Sequence, residues 1–278
     1  MAEQPVLEFS NVNVRFEQTW ALRDVSLKLN PGETRIILGE AGSGKSTLLK
    51  TAIGLVTVDN GAVQLFGEQV ANRKETDLFK IRSRAGFVFQ EGGLFDSVSV
   101  GENVEYPLLN RQISEGKSGD ETEETEKRVR DSLRFVELEH TYDKFPSEIS
   151  GGMRRRVGIA RAIVTEPPLV LYDSPTAGLD PITANTIMAL IAKERDVRNS
   201  ASLIVTHRYQ DGEIMDNFYY DAPQEELIHV SERAEADAKR NRTRFIVMKE
   251  GQIVFFGTRH ELEASDDPYV KRFIRHEE

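Results

Sequence analysis

The sequence contains no cysteine, a single tryptophan, and no apolar stretch that approaches the roughly 20 residues needed to span a lipid bilayer. The absence of cysteine excludes disulfides, thiolate catalysis and cysteine metal ligands. Basic residues are fewer than acidic ones: the chain has 46 Asp and Glu but only 36 Lys and Arg, which gives a net charge of -10. This charge argues against a broad electrostatic grip on nucleic acid or anionic lipid. We therefore expect no nucleic-acid partner, and we expect any membrane role to depend on partner chains.

The 278 residues, of which 39% are hydrophobic, suffice for one large domain or two modest ones. The pattern predicts short apolar strands at 34–38, 86–90, 169–172 and 203–206, with helical segments between them. Strands that alternate with helices imply an α/β sheet protein. Residues 113–126 are polar and acidic, which predicts a surface loop or linker.

A glycine-rich loop follows the strand at 34–38 and precedes a helix predicted for 46–55. The loop fits the pattern G-x-x-x-x-G-K-[ST] with the residues Gly39, Glu40, Ala41, Gly42, Ser43, Gly44, Lys45, Ser46 and Thr47. Glycines let successive backbone N–H groups curl around phosphates. Lys45 supplies positive charge to the β and γ phosphates, and the Ser46 hydroxyl can bind Mg²⁺. Glu40 adds a negative charge, and we expect its side chain to face solvent.

Polar residues that could serve such a site follow three other strands. Asp173 ends the strand at 169–172, at the carboxyl end where open α/β sheets bind ligands. Its carboxylate can hold Mg²⁺ through the water shell of the ion, although it could also cap the next helix. Gln90 ends the strand at 86–90 and His207 follows the strand at 203–206, and each could equally be an ordinary structural residue.

The segment around Ser150 has the features of a helix start. Ser150 is a good N-cap, and the amides of Gly151 and Gly152 could bind an anion at the helix terminus. By itself this segment indicates only a cap. The following Arg154–Arg156 is interpreted as the solvated face of the helix.

In order and spacing, these segments resemble an ABC transporter ATPase over nearly the whole chain. The matching segments are Gln90 for the Q-loop, Ser150–Met153 for the LSGGQ signature with Ile149 and Met153 as departures, Asp173 with Ala177–Asp180 for the second nucleotide motif and D-loop, and His207 for the H-loop. The resemblance implies that the chain binds ATP and Mg²⁺. It also implies that Ser46, Gln90 and Asp173 serve the metal.

The resemblance further implies an α/β fold with a P-loop NTPase core on a mixed or parallel sheet, an N-terminal antiparallel β-subdomain and a helical subdomain that carries the signature. Within a single domain at 1–278, the implied divisions are a nucleotide-binding core at 1–90 and 165–257, a helical subdomain at 91–164, a possible insertion at 208–244 and a C-terminal helical tail at 258–278.

In this family an aromatic residue stacks on adenine, and Phe16 matches that position best, with Trp20 as the runner-up and core packing as the alternative for either. Family members also pair head to tail. Ser150, Gly151, Gly152 and Asp180 of one chain would then contact ATP held by the other. We expect a homodimer, and the alternative is a heterodimer with a second ATPase chain.

Ser174 departs from the family, which usually carries glutamate after the magnesium aspartate to orient the attacking water. Serine is a poor base, and general-base assistance typically contributes about 10²–10⁴-fold to a rate. We expect hydrolysis to be slow unless His207, Glu91 or Asp180 substitutes. The catalytic positions are therefore Ser174, His207 and Gln90. The competing interpretation is an ATP-gated interaction module that barely hydrolyses ATP.

The signature variant, with Phe89–Phe95 and Asn103–Leu108, resembles the ATPases of Mla/Mce-type lipid transport systems. That resemblance implies transport of lipids or phospholipids across or between envelope membranes. The implied partners are integral membrane permease subunits and a lipid-binding envelope protein. The implied location is cytoplasmic, peripheral on the inner face of the cell membrane. The alternative is the ATPase of an importer of small solutes. Leu94, Phe95 and Val98 are candidates for a permease groove or for ordinary core.

Overall fold

The computed structural model describes residues 4–71, 73–116, 122–232 and 242–274. The larger of its sheets contains, in spatial order, β12 (Gln252–Gly257), β11 (Thr243–Lys249), β3 (Thr34–Gly39), β8 (Ala201–Val205), β7 (Leu169–Asp173) and β6 (Ala85–Val88). All neighbouring pairs are parallel except β11 with β12. In this register Val205 lies opposite both Ile37 and Asp173, and Tyr172 lies opposite Val88. The carboxyl ends of β3, β8, β7 and β6 therefore meet at one edge.

Both faces of the sheet are buried at its central strands, and successive residues of these strands enter different cores, whereas the edge strand β12 is partly exposed. Ile36 and Leu38 belong to a cluster with the helices on one face, whereas Ile37 belongs to the cluster on the other. In β7, Tyr172 belongs to the first of these clusters and Leu171 to the second. Parallel strands covered on both faces are expected to be continuously apolar, which explains why short apolar runs predicted them.

A second sheet is antiparallel and lies at the N-terminal part of the chain. Its strands in spatial order are β2 (Thr19–Leu29), β1 (Leu7–Phe16), β4 (Asn60–Leu65) and β5 (Glu68–Gln69). Its apolar side chains join the second core cluster with α1 (Lys45–Ala52), which contributes Leu48 and Leu49, and with α2 (Glu75–Arg82). The N-terminal sheet is thereby packed against the loop and helix that follow β3.

Three helices form a layer on the side of β6. They are α3 (Val100–Glu115), α4 (Thr122–Phe135) and α5 (Gly151–Ile163). The prediction of a loop over 113–126 is wrong at both ends, because α3 continues to Glu115 and α4 begins at Thr122. An ion pair between Arg111 and Glu115 supports the last turn of α3, and Gly116 caps it with a φ of 68°. Residues 117–121 of the predicted loop lie outside the described residues.

The remaining helices and strands follow β7 in the chain. They are α6 (Pro181–Arg198), α7 (Tyr209–Asn217), a hairpin of β9 (Phe218–Asp221) and β10 (Glu226–His229), α8 (Arg259–Glu263) and α9 (Pro268–Lys271). Short 3-10 turns lie between α4 and α5, at Glu139–Thr141 and Pro146–Glu148, and after β10, at Val230–Glu232. The possible insertion at 208–244 stays a prediction, and its first residues include α7, which packs against the core. Asp211 and Gly212 of α7 are buried, and Gly212 packs closely against Phe245 of β11.

The α/β fold predicted from the sequence is confirmed, with a mixed sheet, an N-terminal antiparallel sheet and a helical layer. The division at 90/91 and 164/165 stays a prediction. Within the described ranges, no helix combines the length and the apolar character that a membrane span requires.

Glu194 of α6 is a fully buried carboxyl, and the Ser200 hydroxyl donates a 2.5 Å hydrogen bond to its Oε2. Burial raises the pKa of Glu194 from 4.5 to about 7, and the Ser200 hydrogen bond and the charges of Arg198 and Arg195 oppose that shift. Because the folded-state pKa is the higher one, the protonated form stabilises the fold. That stability is fully present below the unfolded pKa and is lost as pH rises through about 7.

We predict that Glu194→Gln flattens the pH dependence of stability. Between pH 5 and 8 the wild type should lose on the order of 2–3 kcal/mol more unfolding free energy than the variant. Urea unfolding at the two pH values measures this difference, with Glu124→Gln on the exposed surface of α4 as the control. Equal slopes for the wild type and Glu194→Gln would contradict the assignment.

Candidate functional site

The glycine loop between β3 and α1 is closed around the ammonium group of Lys45. Gly44 precedes α1 with a φ of 103°, and a Cβ there would lie 2.2 Å from the Ala21 carbonyl oxygen, so this position requires glycine. The Nζ of Lys45 donates to the carbonyl oxygens of Gly39 at 2.6 Å and Glu40 at 2.7 Å. Burial lowers the pKa of Lys45, and the carboxylates of Asp173 and Glu40 oppose that shift. The loop thus presents a fixed cation beside the first turn of a helix.

The side chains of Ser46 and Asp173 meet at the same edge of the sheet. The Ser46 hydroxyl donates to Oδ1 of Asp173 at 3.1 Å, although the two residues are 127 positions apart in the chain. A hydroxyl and a carboxylate are oxygen ligands of the kind that Mg²⁺ prefers. Magnesium sites commonly combine one or two protein carboxylates with oxygens of the substrate phosphates. The donor set therefore fits a magnesium ion.

A cleft of about 990 Å³ opens over the loop and extends to the N-terminal sheet. The predicted site residues that line it are Phe16, Gly39, Ala41, Gly42, Gly44, Lys45, Ser46, Thr47, Gln90, Ser174 and His207. This volume lies at the upper end of the range of typical ligand sites. The edge of the sheet thus brings together residues from loops that follow β3, β6, β7 and β8.

Two aromatic side chains stand at the outer wall of the cleft. Phe16 is 53% exposed and Trp20 is 40% exposed, so the alternative that these rings pack in the core is wrong. The guanidinium of Arg15 lies 5.5 Å from the centroid of the Trp20 ring. The Trp20 ring therefore already has the Arg15 guanidinium beside it, whereas the Phe16 ring is the more exposed of the two.

A sequence profile of ABC transporters matches residues 22–177, which is more than half of the chain. The chain belongs to the ABC transporter family. Its relatives include the sulfate/thiosulfate import ATP-binding protein CysA of Nitrosomonas europaea, 34% identical over 97% of this chain and 66% of the relative. The methionine import ATP-binding protein MetN of Corynebacterium efficiens is 38% identical over 71% of this chain and 53% of the relative.

The probable ribonucleotide transport ATP-binding protein mkl of Mycobacterium tuberculosis is 30% identical over 96% of this chain and 66% of the relative. The chain thus spans about half to two thirds of the length of these relatives. A solved dimer of the ATP-binding cassette MJ0796, in a post-hydrolysis state bound to ADP and Pi, aligns with a TM-score of 0.73. It is 29% identical and covers 91% of this chain and 98% of the other.

In this ABC cassette Ser174 begins a tight turn directly after Asp173. Ser174 has a φ of 51°, its N–H donates to the Val205 carbonyl at 2.9 Å, and its own carbonyl accepts from the Ala177 N–H at 3.2 Å. Ser174 lines the cleft, and so does the exposed His207. Of the three candidates to replace a missing carboxylate, His207 lines this cleft, whereas Glu91 and Asp180 do not.

A buried aspartate joins this turn to the loop of His207. Asp211 is fully buried, and its Oδ2 accepts hydrogen bonds from the hydroxyls of Thr176 at 2.5 Å and Thr206 at 2.6 Å. Burial raises the pKa of Asp211, while the two threonine hydrogen bonds oppose that shift. Sequence reasoning missed Asp211 because it lies in a segment for which the pattern predicted no element. An acidic residue four positions after a strand-end histidine was the available signal.

The residues predicted to contact ATP across a dimer lie outside the cleft of their own chain. Ser150 caps α5, with its hydroxyl oxygen accepting from the Met153 N–H at 3.3 Å, and Gly151 follows on the exposed surface. Asp180 caps α6 by accepting from the Thr183 N–H at 3.0 Å, and hydrogen bonds from Thr183 lower the Asp180 pKa. Ser150, Gly151, Gly152 and Asp180 are absent from the lining of the cleft.

One interpretation of charged residues needs correction, and one expectation gains a contact. Arg155 and Arg156 are half-buried rather than on a solvated helix face, because Arg155 donates to the Gln90 carbonyl at 2.8 Å and Arg156 to the Val136 carbonyl at 3.2 Å. Glu40 is exposed as expected, yet it is also paired, since Nη1 of Arg272 lies 3.0 Å from its Oε1. The C-terminal segment thus contacts the phosphate loop.

We predict that Phe16→Ala weakens ATP binding about three- to tenfold, since aromatic stacking contributes about 0.5–1.5 kcal/mol. Trp20 is the sole tryptophan and lines the cleft, so its fluorescence reports binding directly. Phe66→Leu, at a site outside the cleft, serves as the control. Unchanged affinity in Phe16→Ala would transfer the stacking role to Trp20.

Proposed function

We propose that this chain is the ATP-binding subunit of an ABC membrane transporter, which couples ATP binding and hydrolysis to transport. The observation that carries the proposal is the convergence of Lys45, Ser46 and Asp173 on one edge of the sheet, with a 3.1 Å contact between the last two. Family membership supports it. The proposed location is cytoplasmic, on the inner face of the cell membrane, against permease subunits.

The residues of the cleft divide the work of holding the nucleotide. The amides of the glycine loop and the start of α1 favour phosphate, and Lys45 adds a fixed positive charge. Ser46, Asp173 and Gln90 would hold Mg²⁺, which neutralises phosphate charge and orients the terminal phosphate when bound. Phe16 would support the adenine ring. The gathered charges suit anion binding even though the chain as a whole is acidic.

Ser174 makes activation of water the weak step. Ser174 lines the cleft at a position where the family usually carries a carboxylate, but a serine hydroxyl has little basicity at neutral pH. Loss of general-base assistance of about 10²–10⁴-fold corresponds to roughly 3–5 kcal/mol of barrier. His207 also lines the cleft and is the group we propose for residual proton transfer. ATP binding should not depend on Ser174, because Lys45, Ser46 and Asp173 would supply the contacts to the phosphates and the metal.

We further propose that two chains close head to tail around ATP. Ser150 and Asp180 are exposed and lie outside the cleft of their own chain, which leaves them available to a partner. The start of α5 presents the exposed amide of Gly151 as an anion-binding terminus. A homodimer would place Ser174 in both sites, whereas a heterodimer could supply a working carboxylate from another ATPase chain.

An apolar groove beside the loop of Gln90 supports a permease partner. It measures about 440 Å³ and is lined by Phe79, Phe87, Phe89, Phe95, Tyr106 and Pro107 together with polar residues that include Arg82 and Arg161. Phe95 is 43% exposed within this lining, whereas Leu94 packs against the core. Of the residues considered for a permease groove, Phe95 therefore has the required position.

For the cargo we propose a lipid or phospholipid, with a lipid-binding envelope protein as a further partner. The support is the resemblance of Phe89–Phe95 and Asn103–Leu108 to Mla/Mce-type ATPases. A small solute is the second candidate, favoured by the names of the relatives, which describe import of sulfate and methionine. An ATP-gated module with little hydrolysis is the alternative to a transport motor, and Ser174 is the residue that favours it.

We predict that Ser174→Glu raises steady-state phosphate release at least tenfold, because it restores the carboxylate that general-base catalysis needs. Ser174→Gln is the matched control, since it has the same length and no basic oxygen, and it should leave the rate near that of the wild type. ATP affinity, read from Trp20 fluorescence, should change little in either variant.

A wild-type rate already as fast as that of Ser174→Glu would contradict the proposed weak step. An equal rise in Ser174→Gln would show that side-chain length rather than basicity limits turnover. No fluorescence response to ATP in any of the three proteins would remove the proposed function itself.

A further inference from the structure

Helix α5 places one arginine between two loops of the cleft. Nε of Arg155 donates to the Gln90 carbonyl at 2.8 Å, and its Nη2 donates to the Ala177 carbonyl. Gln90 and Ala177 both line the nucleotide cleft, yet they follow different strands of the sheet, β6 and β7. A single guanidinium therefore spans the two loops.

Both acceptors belong to backbone that is not in a strand or helix. Carbonyl groups in such loops need donors from side chains or water when they are withdrawn from solvent. Ala177 is the last residue of the turn that begins at Ser174, because the Ala177 N–H closes this turn by donating to the Ser174 carbonyl at 3.2 Å. The carbonyl of the same residue is the acceptor for Arg155. A guanidinium presents its donors in a rigid planar fork, so Arg155 fixes the separation of the two carbonyls.

Neighbouring arginines on the same helix do not make this connection. Arg161 donates to the carbonyls of Gly92 and Gly93, each at 2.8 Å, and so contacts only the loop after β6. Arg156 reaches the Val136 carbonyl at the end of α4, within the helical layer. Among the contacts of these three arginines, those of Arg155 alone include the turn after β7.

We propose that Arg155 is a positioning residue that couples the loop of Gln90 to the turn of Ser174, so that both loops follow any movement of α5. The inference rests on the proposed function, because it assigns these two loops to ATP. It adds a contact within one chain between α5, which Ser150 caps, and the turn of Ser174, where water would be activated. On the opposite side, the same turn is held by Asp211 through Thr176.

Replacing Arg155 should lower the rate of ATP turnover and leave ATP affinity nearly unchanged. Lys45, Ser46 and Asp173 would hold the phosphates and the metal without a hydrogen bond to Arg155, and Arg155 contacts Gln90 only at its backbone carbonyl. Arg155→Gln should therefore keep the ATP affinity within about twofold. Turnover should fall roughly tenfold, since small misplacement of groups at a reaction centre has effects of this size or larger. Arg155→Lys keeps a charge but lacks the planar fork, so it should recover only part of the rate.

The experiment measures kcat, ATP affinity from Trp20 fluorescence, and melting temperature, in the wild-type and the Ser174→Glu backgrounds. The faster background makes a tenfold loss measurable where the wild-type rate is low. Arg156→Gln is the matched control, because it removes the same charge from the same helix and one carbonyl contact that stays within the helical layer. Its kcat should stay within about twofold of the parent.

A lower kcat in Arg155→Gln with unchanged affinity, and partial recovery in Arg155→Lys, supports positioning. An unchanged kcat overturns the proposal, and so does an equal loss in Arg156→Gln, which would indicate general destabilisation of α5. If Arg155→Gln does not fold, Arg155→Lys decides, because full activity in that variant overturns the need for the fork. Absence of any ATP response in both parents would instead refute the proposed function.

Discussion

The parallel register of the central sheet is the constraint on which the site depends. Because Val205 lies opposite both Ile37 and Asp173, the strands β3, β8 and β7 end at the same level. The glycine loop, the turn of Ser174 and His207 must then emerge side by side. Strands that are buried on both faces resist a change of register, since a shift by one residue would move every side chain to the other core.

The chemistry of the cleft follows from how charges are held at that edge. Lys45 donates to carbonyl groups of its own loop, and Ser46 donates to Asp173, so the cationic group and the groups proposed to bind the metal are held on rigid elements. The loops that carry Gln90 and Ser174 are less regular. Their positions depend on side chains from elsewhere in the fold, chiefly Arg155.

Sequence reasoning succeeded where the signal was local. The phosphate loop is contiguous, and Asp173 could be placed at a strand end because apolar runs mark buried parallel strands. It could not find Arg155, whose acceptors lie 65 and 22 positions away, or Asp211, whose partners come from two loops. The prediction of a loop at 113–126 was wrong at its ends for another reason. An acidic composition indicates exposure to solvent, and a helix can also be exposed on one face.

The central claim is that this cassette closes on ATP while Ser174 slows the step that would open it. Light scattering of the wild-type protein with ATP and Mg²⁺, with phosphate release followed in the same sample, tests this claim most directly. The account predicts that ATP doubles the molar mass and that the dimer persists while little phosphate appears. A protein that stays monomeric with ATP bound, or one whose dimer forms and decays with rapid phosphate release, would contradict it.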